Sequence, residues 1–473
     1  MFNFFAPPAA KPLIAADKID AEYRRMRIKV FAGAYLGYAG YYLVRKNLSL
    51  AAPGMIAEGL LDKETAGFAM AGIPIAYAFS KFLMGSLSDR SDARKFLVIG
   101  LIIASLMMIS VGLVPYSASI AVNGAMLFAF MLAIGWLSGM GWPPCGRIMA
   151  HWFSQNERSF KMSVWNTSHN IGGGSLALLV TMGITIFASL GIAESWRAAF
   201  IAPSIVAICL ALFCWWALRD TPESCGLPSI EEHRQDFTAR KAAKGEEIKI
   251  PFRRLFVDYI FRNKLLWMVA IANVFIYFIR YGVSDWSPTY LQEMNVMNAD
   301  ESHLAFSLFE YAGIPGTIIC GWMASRFFAG RCAPVNVIAM VMVLFGILCY
   351  WQADTLGMML GSENVVKWIV YISLSITGFA LYGPIALIGI QTLSFVPKNA
   401  AGTAAGFVAL FGYLFGDAVL SKIVIGQVAG NASLGWGVTF WMFIVAAVLS
   451  ILICAITWRR EYDMMQERMA QGR

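Results

Sequence analysis

Arginine is costly in hydrocarbon, yet two arginines sit in long apolar runs, Arg45 within 30–53 and Arg280 within 265–290. A charge near the middle of a bilayer costs about 3 kcal/mol on insertion scales, so it normally faces a cavity and has a partner. The flanks echo each other, Tyr42-Leu43-Val44-Arg45 against Tyr277-Phe278-Ile279-Arg280. Each arginine also follows a basic residue, Lys29 or Lys264, by 16 positions. Guanidinium presents planar, paired N–H donors and stays protonated, which suits it to holding an anion. Two such groups at matching places in two halves imply one anionic ligand held between the halves, as in a transporter.

The elements that must carry these residues are membrane helices. Of 473 residues 58% are hydrophobic and 14% charged, with mean hydropathy +0.62, which excludes an ordinary soluble domain. At about 20 residues per span the chain is predicted to be an all-α membrane protein of twelve helices. They are expected at 29–52, 65–88, 96–115, 124–150, 161–190 and 197–217, then at 264–291, 303–325, 333–352, 366–395, 402–428 and 436–458. Several contain proline (Pro74, Pro143, Pro144, Pro315, Pro384), which membrane helices tolerate. Alternating β-barrel patterning is absent. The first 29 residues lack a short apolar core with a cleavage site, so no removable signal peptide is expected.

Charge placement sets the topology. Of 37 Lys and Arg, 29 fall on one side of the expected spans, and only Lys63, Arg197 and Lys367 on the other. By the positive-inside rule both termini and the central loop are cytoplasmic. The net charge of +8 is then topological, and no nucleic-acid partner is implied. The eight cysteines form no CxxC pair and have no histidine at ligand spacing, so they read as free thiols, with no metal site and no disulfide frame.

The chain divides into a cytoplasmic segment (1–28), an N-terminal six-helix half (29–218), a cytoplasmic linker (219–262), a C-terminal six-helix half (263–458) and a cytoplasmic tail (459–473). The linker is polar and mixed in sign. Beyond the arginine echo, Gly85-Ser86-Leu87-Ser88-Asp89-Arg90 and Gly321-Trp322-Met323-Ala324-Ser325-Arg326 end spans 2 and 8. The two matches share nearly one offset, 235 and 236 positions. Repeated halves with a site near the midplane describe many secondary transporters.

The stretch Gly85–Lys95 resembles the loop 2–3 motif of the major facilitator superfamily. The runs Tyr41–Asn47, Gly139–Arg147, Trp165–Gly174, Arg280–Tyr290, Glu310–Thr317 and Ala400–Phe407 resemble the organophosphate:phosphate antiporters of that superfamily. The tryptophan–proline–proline run Trp142-Pro143-Pro144 favours their glycerol-3-phosphate branch. The resemblance runs from about Ile19 to the end of the chain. It implies the major facilitator fold, two pseudo-symmetric six-helix halves in a bacterial inner membrane, and Arg45 and Arg280 as a phosphate clamp. The bland alternative for each arginine is a buried carboxylate partner, for Arg280 the nearby Asp285.

Other candidates follow. His169 lies mid-span beside Gly172, Gly173 and Gly174, which would let the backbone bend or another helix approach. An unperturbed imidazole titrates near 6.5, so it can donate to a phosphate, or it can be a core histidine bonded to a carbonyl. The resemblance places it in the substrate site. The glycines lack the preceding strand and following Lys-Ser/Thr of a nucleotide loop. Lys81 either draws the anion in or snorkels towards the inner face. Lys46 is a structural or helper residue. Tyr38, Tyr42, Tyr77, Tyr277, Tyr382 and Tyr413 offer hydroxyls inside apolar helices, and the resemblance raises Tyr38, Tyr42 and Tyr382. Asp89, Asp285 and Glu310 are assigned to salt bridges that hold or switch the helices.

Span 11 departs from the glycerol-3-phosphate pattern, reading Gly416-Asp417-Ala418-Val419-Leu420-Ser421-Lys422. Five residues apart on an α-helix, Asp417 and Lys422 are about 140° apart, so a direct pair is not assured. They pair with other helices or contact a larger, more hydroxylated substrate. The expected activity is uptake of glycerol-3-phosphate against inorganic phosphate by alternating access, as a monomer, with no enzyme chemistry, cofactor or metal. A hexose-phosphate exchanger and a transporter-like sugar-phosphate sensor are the rivals.

Overall fold

A computed structural model describes residues 2–192, 194–234, 260–396 and 400–470. The middle of the expected linker (235–259), Lys398 on its expected cytoplasmic loop and the end of the tail (471–473) lie outside the described residues. Every regular element among the described residues is helical. The principal ones are α1 (Ala16–Tyr42), α2 (Asn47–Ala57), α3 (Lys63–Met70), α4 (Gly72–Ser88), α5 (Ala93–Leu113), α6 (Ile120–Ser138), α7 (Trp142–Trp152), α8 (Gln155–Asn166), α9 (Ser168–Ser189), α10 (Ala198–Ala217) and α11 (Ile230–Arg234). There follow α12 (Lys264–Glu293), α13 (Ala299–Phe327), α14 (Ala333–Trp351), α15 (Glu363–Ser394), α16 (Ala401–Phe411), a π-helix (Gly412–Val424), α17 (Ile425–Gly430) and α18 (Gly435–Ala470).

Among the described residues ten segments are long and apolar enough to cross a membrane. The other two expected spans, 29–52 and 65–88, are each built from two shorter helices. The first breaks at 43–46, where the Leu43 N–H bonds back to the Gly40 carbonyl at 3.1 Å instead of continuing the α ladder. A freed carbonyl inside a membrane must find a donor. Asn47 supplies it, since its Nδ2 donates to the Leu43 carbonyl at 3.0 Å and to the Ala199 carbonyl at 2.8 Å. The second breaks at Ala71; Pro74 has no N–H to return to the Met70 carbonyl. Between α6 and α7 the chain turns at Gly139–Gly141 and restarts with proline in the first turn of α7, where a missing N–H costs nothing.

Two compact units emerge. One comprises residues 1–47, 79–114 and 132–248. In it α1 packs on α7, α9 and α10, and α5 packs on α10. Gly172 makes the α1–α9 approach possible: a Cβ there would meet the Ala39 carbonyl oxygen at 2.3 Å. Near the N-terminal segment Arg147 grips Asp220 through Nε and Nη2, both at 3.0 Å, and Asp220 also accepts from the Ala93 N–H at 3.0 Å. The pairing ties α7, the start of α5 and the first linker residues together.

The other unit comprises 48–78, 115–131 and 249–473. Its most extensive packing joins α13 to α15, with α14 on α15 and α12 on the π-helix. It also takes in α3, which packs on α17 and the π-helix. Here a Cβ on Gly67 would lie 2.3 Å from the Lys422 carbonyl oxygen, so the two backbones touch. Lys63 and Glu293 add an ion pair at 2.6 Å, and Trp436 donates to the same carboxylate at 3.0 Å. The unit boundaries thus cut through three expected spans: of the portions that fall in this unit, α3 packs on α17 and the π-helix, and Asn123 donates to the Leu60 carbonyl at 2.9 Å.

Candidate functional site

In the first unit Arg45 occupies the break after α1 and is buried. Its Nη1 lies 3.5 Å from the Tyr42 hydroxyl, and its guanidinium carbon is 5.3 Å from the Tyr42 ring centroid. His169, the second residue of α9, is 5.6 Å from the same ring. Its Nδ1 bonds to the Asn166 carbonyl, which makes Nδ1 the donor and leaves Nε2 an acceptor in the neutral ring. Donation from Nε2 to an anion therefore requires the imidazolium form. Tyr38 packs edge-on to Tyr42 at 5.5 Å and lies 4.7 Å from Trp165, whose indole N–H is bonded to the Ala34 carbonyl at 3.1 Å. The structure thus brings Arg45, Tyr42, Tyr38 and His169 into one buried cluster along the α1–α9 seam.

Lys81 is half-buried, with its ammonium 5.7 Å from the Trp142 ring centroid, a cation–π contact. Lys46 is buried beside Arg45. Among the described residues Asp89 forms no ion pair. Its side chain is exposed and its backbone carbonyl accepts from Arg147, while the carboxylate paired with that arginine is Asp220. Asp220 falls at the start of the expected polar linker, and nothing in the local sequence marks its burial.

In the second unit Arg280 lies in the unbroken α12. Its Nη2 donates to the Tyr382 hydroxyl at 3.1 Å, and that hydroxyl in turn donates to Glu310. The guanidinium sits between two rings, 4.4 Å from the Tyr382 centroid and 4.7 Å from that of Tyr281. Tyr281 was not singled out in the sequence, although it directly follows the arginine. Tyr77, Tyr277 and Tyr413 form with Tyr281 a buried aromatic cluster, with Tyr413 at 4.9 Å from Tyr77 and 5.1 Å from Tyr277. Rings packed edge-on in this way contribute area and rigidity as well as hydroxyls.

Asp417 and Lys422 meet directly. The 140° separation assumed an α-helix, whereas 412–424 is a π-helix, whose i→i+5 hydrogen bonds bring residues five apart towards one face. Lys422 Nζ lies 3.4 Å from Asp417 Oδ1 and also bonds to Asp285 on α12. Asp285 accepts a further bond from Ser284 Oγ at 2.8 Å. One ammonium is therefore shared by two carboxylates, all three side chains being buried. Among the described residues no group of three or more His, Cys, Asp or Glu could hold a metal ion, and all eight cysteines are free.

The sequence model of the Major Facilitator Superfamily matches residues 34–421. The glycerol-3-phosphate transporter of Bacillus subtilis (strain 168) is 44% identical over 458 residues, covering 97% of this chain and 98% of that protein. The glycerol-3-phosphate transporter of Haemophilus influenzae is 41% identical over 473 residues, covering 98% and 97%. Among solved structures, a bacterial homologue of the human lysosomal transporter Spinster superposes with a TM-score of 0.67 over 93% of this chain and 98% of that one. At 16% identity that likeness concerns the fold alone.

Proposed function

Because the chain belongs to the Major Facilitator Superfamily and, within it, to the organophosphate transporters, we propose that it takes up sn-glycerol-3-phosphate in exchange for inorganic phosphate across a bacterial inner membrane. The observation that carries the reading is a buried guanidinium, Arg45 or Arg280, at the same place in each sequence repeat. Its support is 44% and 41% identity, over nearly the full length, to proteins named as glycerol-3-phosphate transporters. In this reading both arginines serve one phosphate group, which brings two negative charges and three acceptor oxygens. Tyr38, Tyr42 and protonated His169 add donors on the Arg45 side. Tyr382 orients Arg280 and links it to Glu310.

Alternating access follows from electrostatics. Without an anion the two guanidinium groups repel one another in a low dielectric, which disfavours closure around an empty site. A bound phosphate removes that repulsion, so the protein reorients loaded and exchange is obligatory. The phosphate gradient then supplies the free energy, and both termini face the cytoplasm.

A second reading, transport of a hexose phosphate, is favoured by the acidic and basic pair on the π-helix. The sharing of Lys422 between Asp417 and Asp285 weighs against it, since a cation already held by two carboxylates is poorly placed to bind a sugar hydroxyl. Counterflow into phosphate-loaded proteoliposomes, offering glycerol-3-phosphate and glucose-6-phosphate side by side, separates the two. Preferential uptake of the hexose phosphate would replace the first reading with the second.

A further inference from the structure

A second cluster of cations lies at the far end of the α1–α9 seam from Arg45. A cavity of about 610 Å³ is lined there by Arg24, Arg27, Lys161 and Arg234, against the carboxylates of Asp20 and Glu157. All six residues belong to the first unit. Resting on the phosphate-exchange reading above, we propose that this cavity is a second binding site for a small soluble phosphate anion, in which the counter-substrate is held at the membrane face that carries the termini.

The charge balance of the cavity favours an anion. Arg27 pairs with Glu157, and burial opposes that carboxylate's charge while the arginine's hydrogen bond and charge more than offset it, holding it below the usual carboxylate range. Yet Glu157 takes only one arm of the guanidinium fork. Nη2 is bonded to it, whereas the buried Nε has no acceptor among the described residues. Inorganic phosphate, with four oxygens, can take both arms. The Lys161 ammonium rests 5.6 Å from the Phe31 ring centroid and 6.0 Å from that of Phe153. Among the described residues Lys161, Arg24 and Arg234 form no ion pair. Arg24 and Arg234 are exposed and Lys161 is half-buried, so an anion entering the cavity meets three cations that no carboxylate among the described residues pairs.

The cavity is also built, not incidental. Tyr23 stacks on His233 with centroids 4.1 Å apart and planes 4° from parallel, and its hydroxyl donates to the Pro228 carbonyl at 3.1 Å. These contacts clamp α11 to α1 and place Arg234 on the rim. Burial holds His233 below its ordinary value; Asp20 pulls it up, while Arg234 and Arg27 push it down. It therefore contributes a ring at neutral pH, not a charge.

Position completes the argument. On α1 and the turn after it, Arg27, Phe31, Tyr35, Tyr38, Tyr42 and Arg45 recur every three or four residues, so they share one face. Lys161, Trp165 and His169 recur every four across α8 and α9. Between them Tyr35 and Thr167 are hydrogen bonded at 2.9 Å. One seam, roughly 27 Å long from Arg27 to Arg45, thus ends in cationic residues at both ends.

The test is sided exchange kinetics with the full-length protein in liposomes of phosphatidylcholine, alone or mixed with phosphatidylglycerol. Wild type is compared with Arg24→Gln/Lys161→Gln/Arg234→Gln and with the charge-keeping Arg24→Lys/Arg234→Lys. The triple variant is expected to raise KM for inorganic phosphate about tenfold at the face carrying the termini. Maximal rate and the opposite-face KM stay unchanged, both lipids give the same result, and the lysine variant stays near wild type. An unchanged KM, or one raised equally at both faces, overturns the proposal. So does an effect confined to phosphatidylglycerol, which would assign the cavity to a lipid headgroup. If the triple variant fails to insert, Lys161→Gln alone, expected to raise KM about threefold, carries the same test. Absence of exchange in wild type would sink the transport reading, whereas wild-type exchange with unaltered variant kinetics sinks only the second site.

Discussion

Around Arg45 the chain leaves the helix between Tyr42 and Asn47, and the near neighbours are a tyrosine hydroxyl, aromatic rings and an imidazole. Around Arg280 the helix runs unbroken from Lys264 to Glu293, and a carboxylate is reached through Tyr382. The flanking sequences are nearly the same; the supports are not. In the first unit a backbone turn, secured by Asn47, positions the guanidinium. In the second a side-chain relay does so, beside a second buried network of Lys422, Asp285 and Asp417. A repeat can thus preserve a cation and its neighbouring tyrosine while the means of holding it diverge.

The largest effect is expected in the Lys422 network of the second unit. Lys422→Met strands two buried carboxylates, and breaking a buried pair costs about 3–5 kcal/mol. The yield of monodisperse protein should fall sharply, and Asp285→Asn with Asp417→Asn in the same chain should restore it. Normal yield from the single variant would show that the carboxylates do not depend on Lys422.

Next come the arginines themselves. Arg45→Lys and Arg280→Lys keep the charge but lose the paired donors, and hydrogen bonds to charged groups are worth about 1.5–3 kcal/mol, so each should slow exchange about 100-fold. Insertion, read by membrane yield, should be unchanged. Wild-type turnover in either variant would remove that arginine from the clamp.

The tyrosine partners separate the two supports. Tyr382→Phe cuts the relay to Glu310 and is expected to slow exchange about tenfold, whereas Tyr42→Phe removes only a 3.5 Å contact and should cost about threefold. Equal effects in initial-rate assays would mean that the two arginines are held alike after all.

These differences also show what the sequence could reveal. Hydropathy located the helices, and Gly139 to Pro144 announces its own turn. The break at 43–46 carries no proline or glycine; it depends on Asn47 reaching carbonyls of Leu43 and Ala199, the latter more than 150 residues away. The π-helix leaves no compositional mark, so Asp417 and Lys422 seemed to point apart until the hydrogen-bond register was known. Tyr382 and Glu310 were each visible as candidates, but their linkage to Arg280 is tertiary. The pairing of Arg147 with Asp220, 73 residues apart, is tertiary for the same reason.

The smallest expected effect concerns His169. With Nδ1 committed to the Asn166 carbonyl, His169→Gln should keep a donor and lose a few-fold in rate, about 0.5–1.5 kcal/mol, while His169→Leu should lose more. Wild-type rates in both would return the residue to packing.

The central claim, exchange of glycerol-3-phosphate for phosphate through a site served by both arginines, is tested most directly by counterflow. Purified protein is placed in liposomes loaded with inorganic phosphate, and labelled glycerol-3-phosphate is offered outside beside glucose-6-phosphate. The account predicts uptake of glycerol-3-phosphate that requires internal phosphate, exceeds that of glucose-6-phosphate and slows about 100-fold in Arg45→Lys and in Arg280→Lys. Uptake that proceeds equally into liposomes without phosphate, or binding without any uptake, would contradict it.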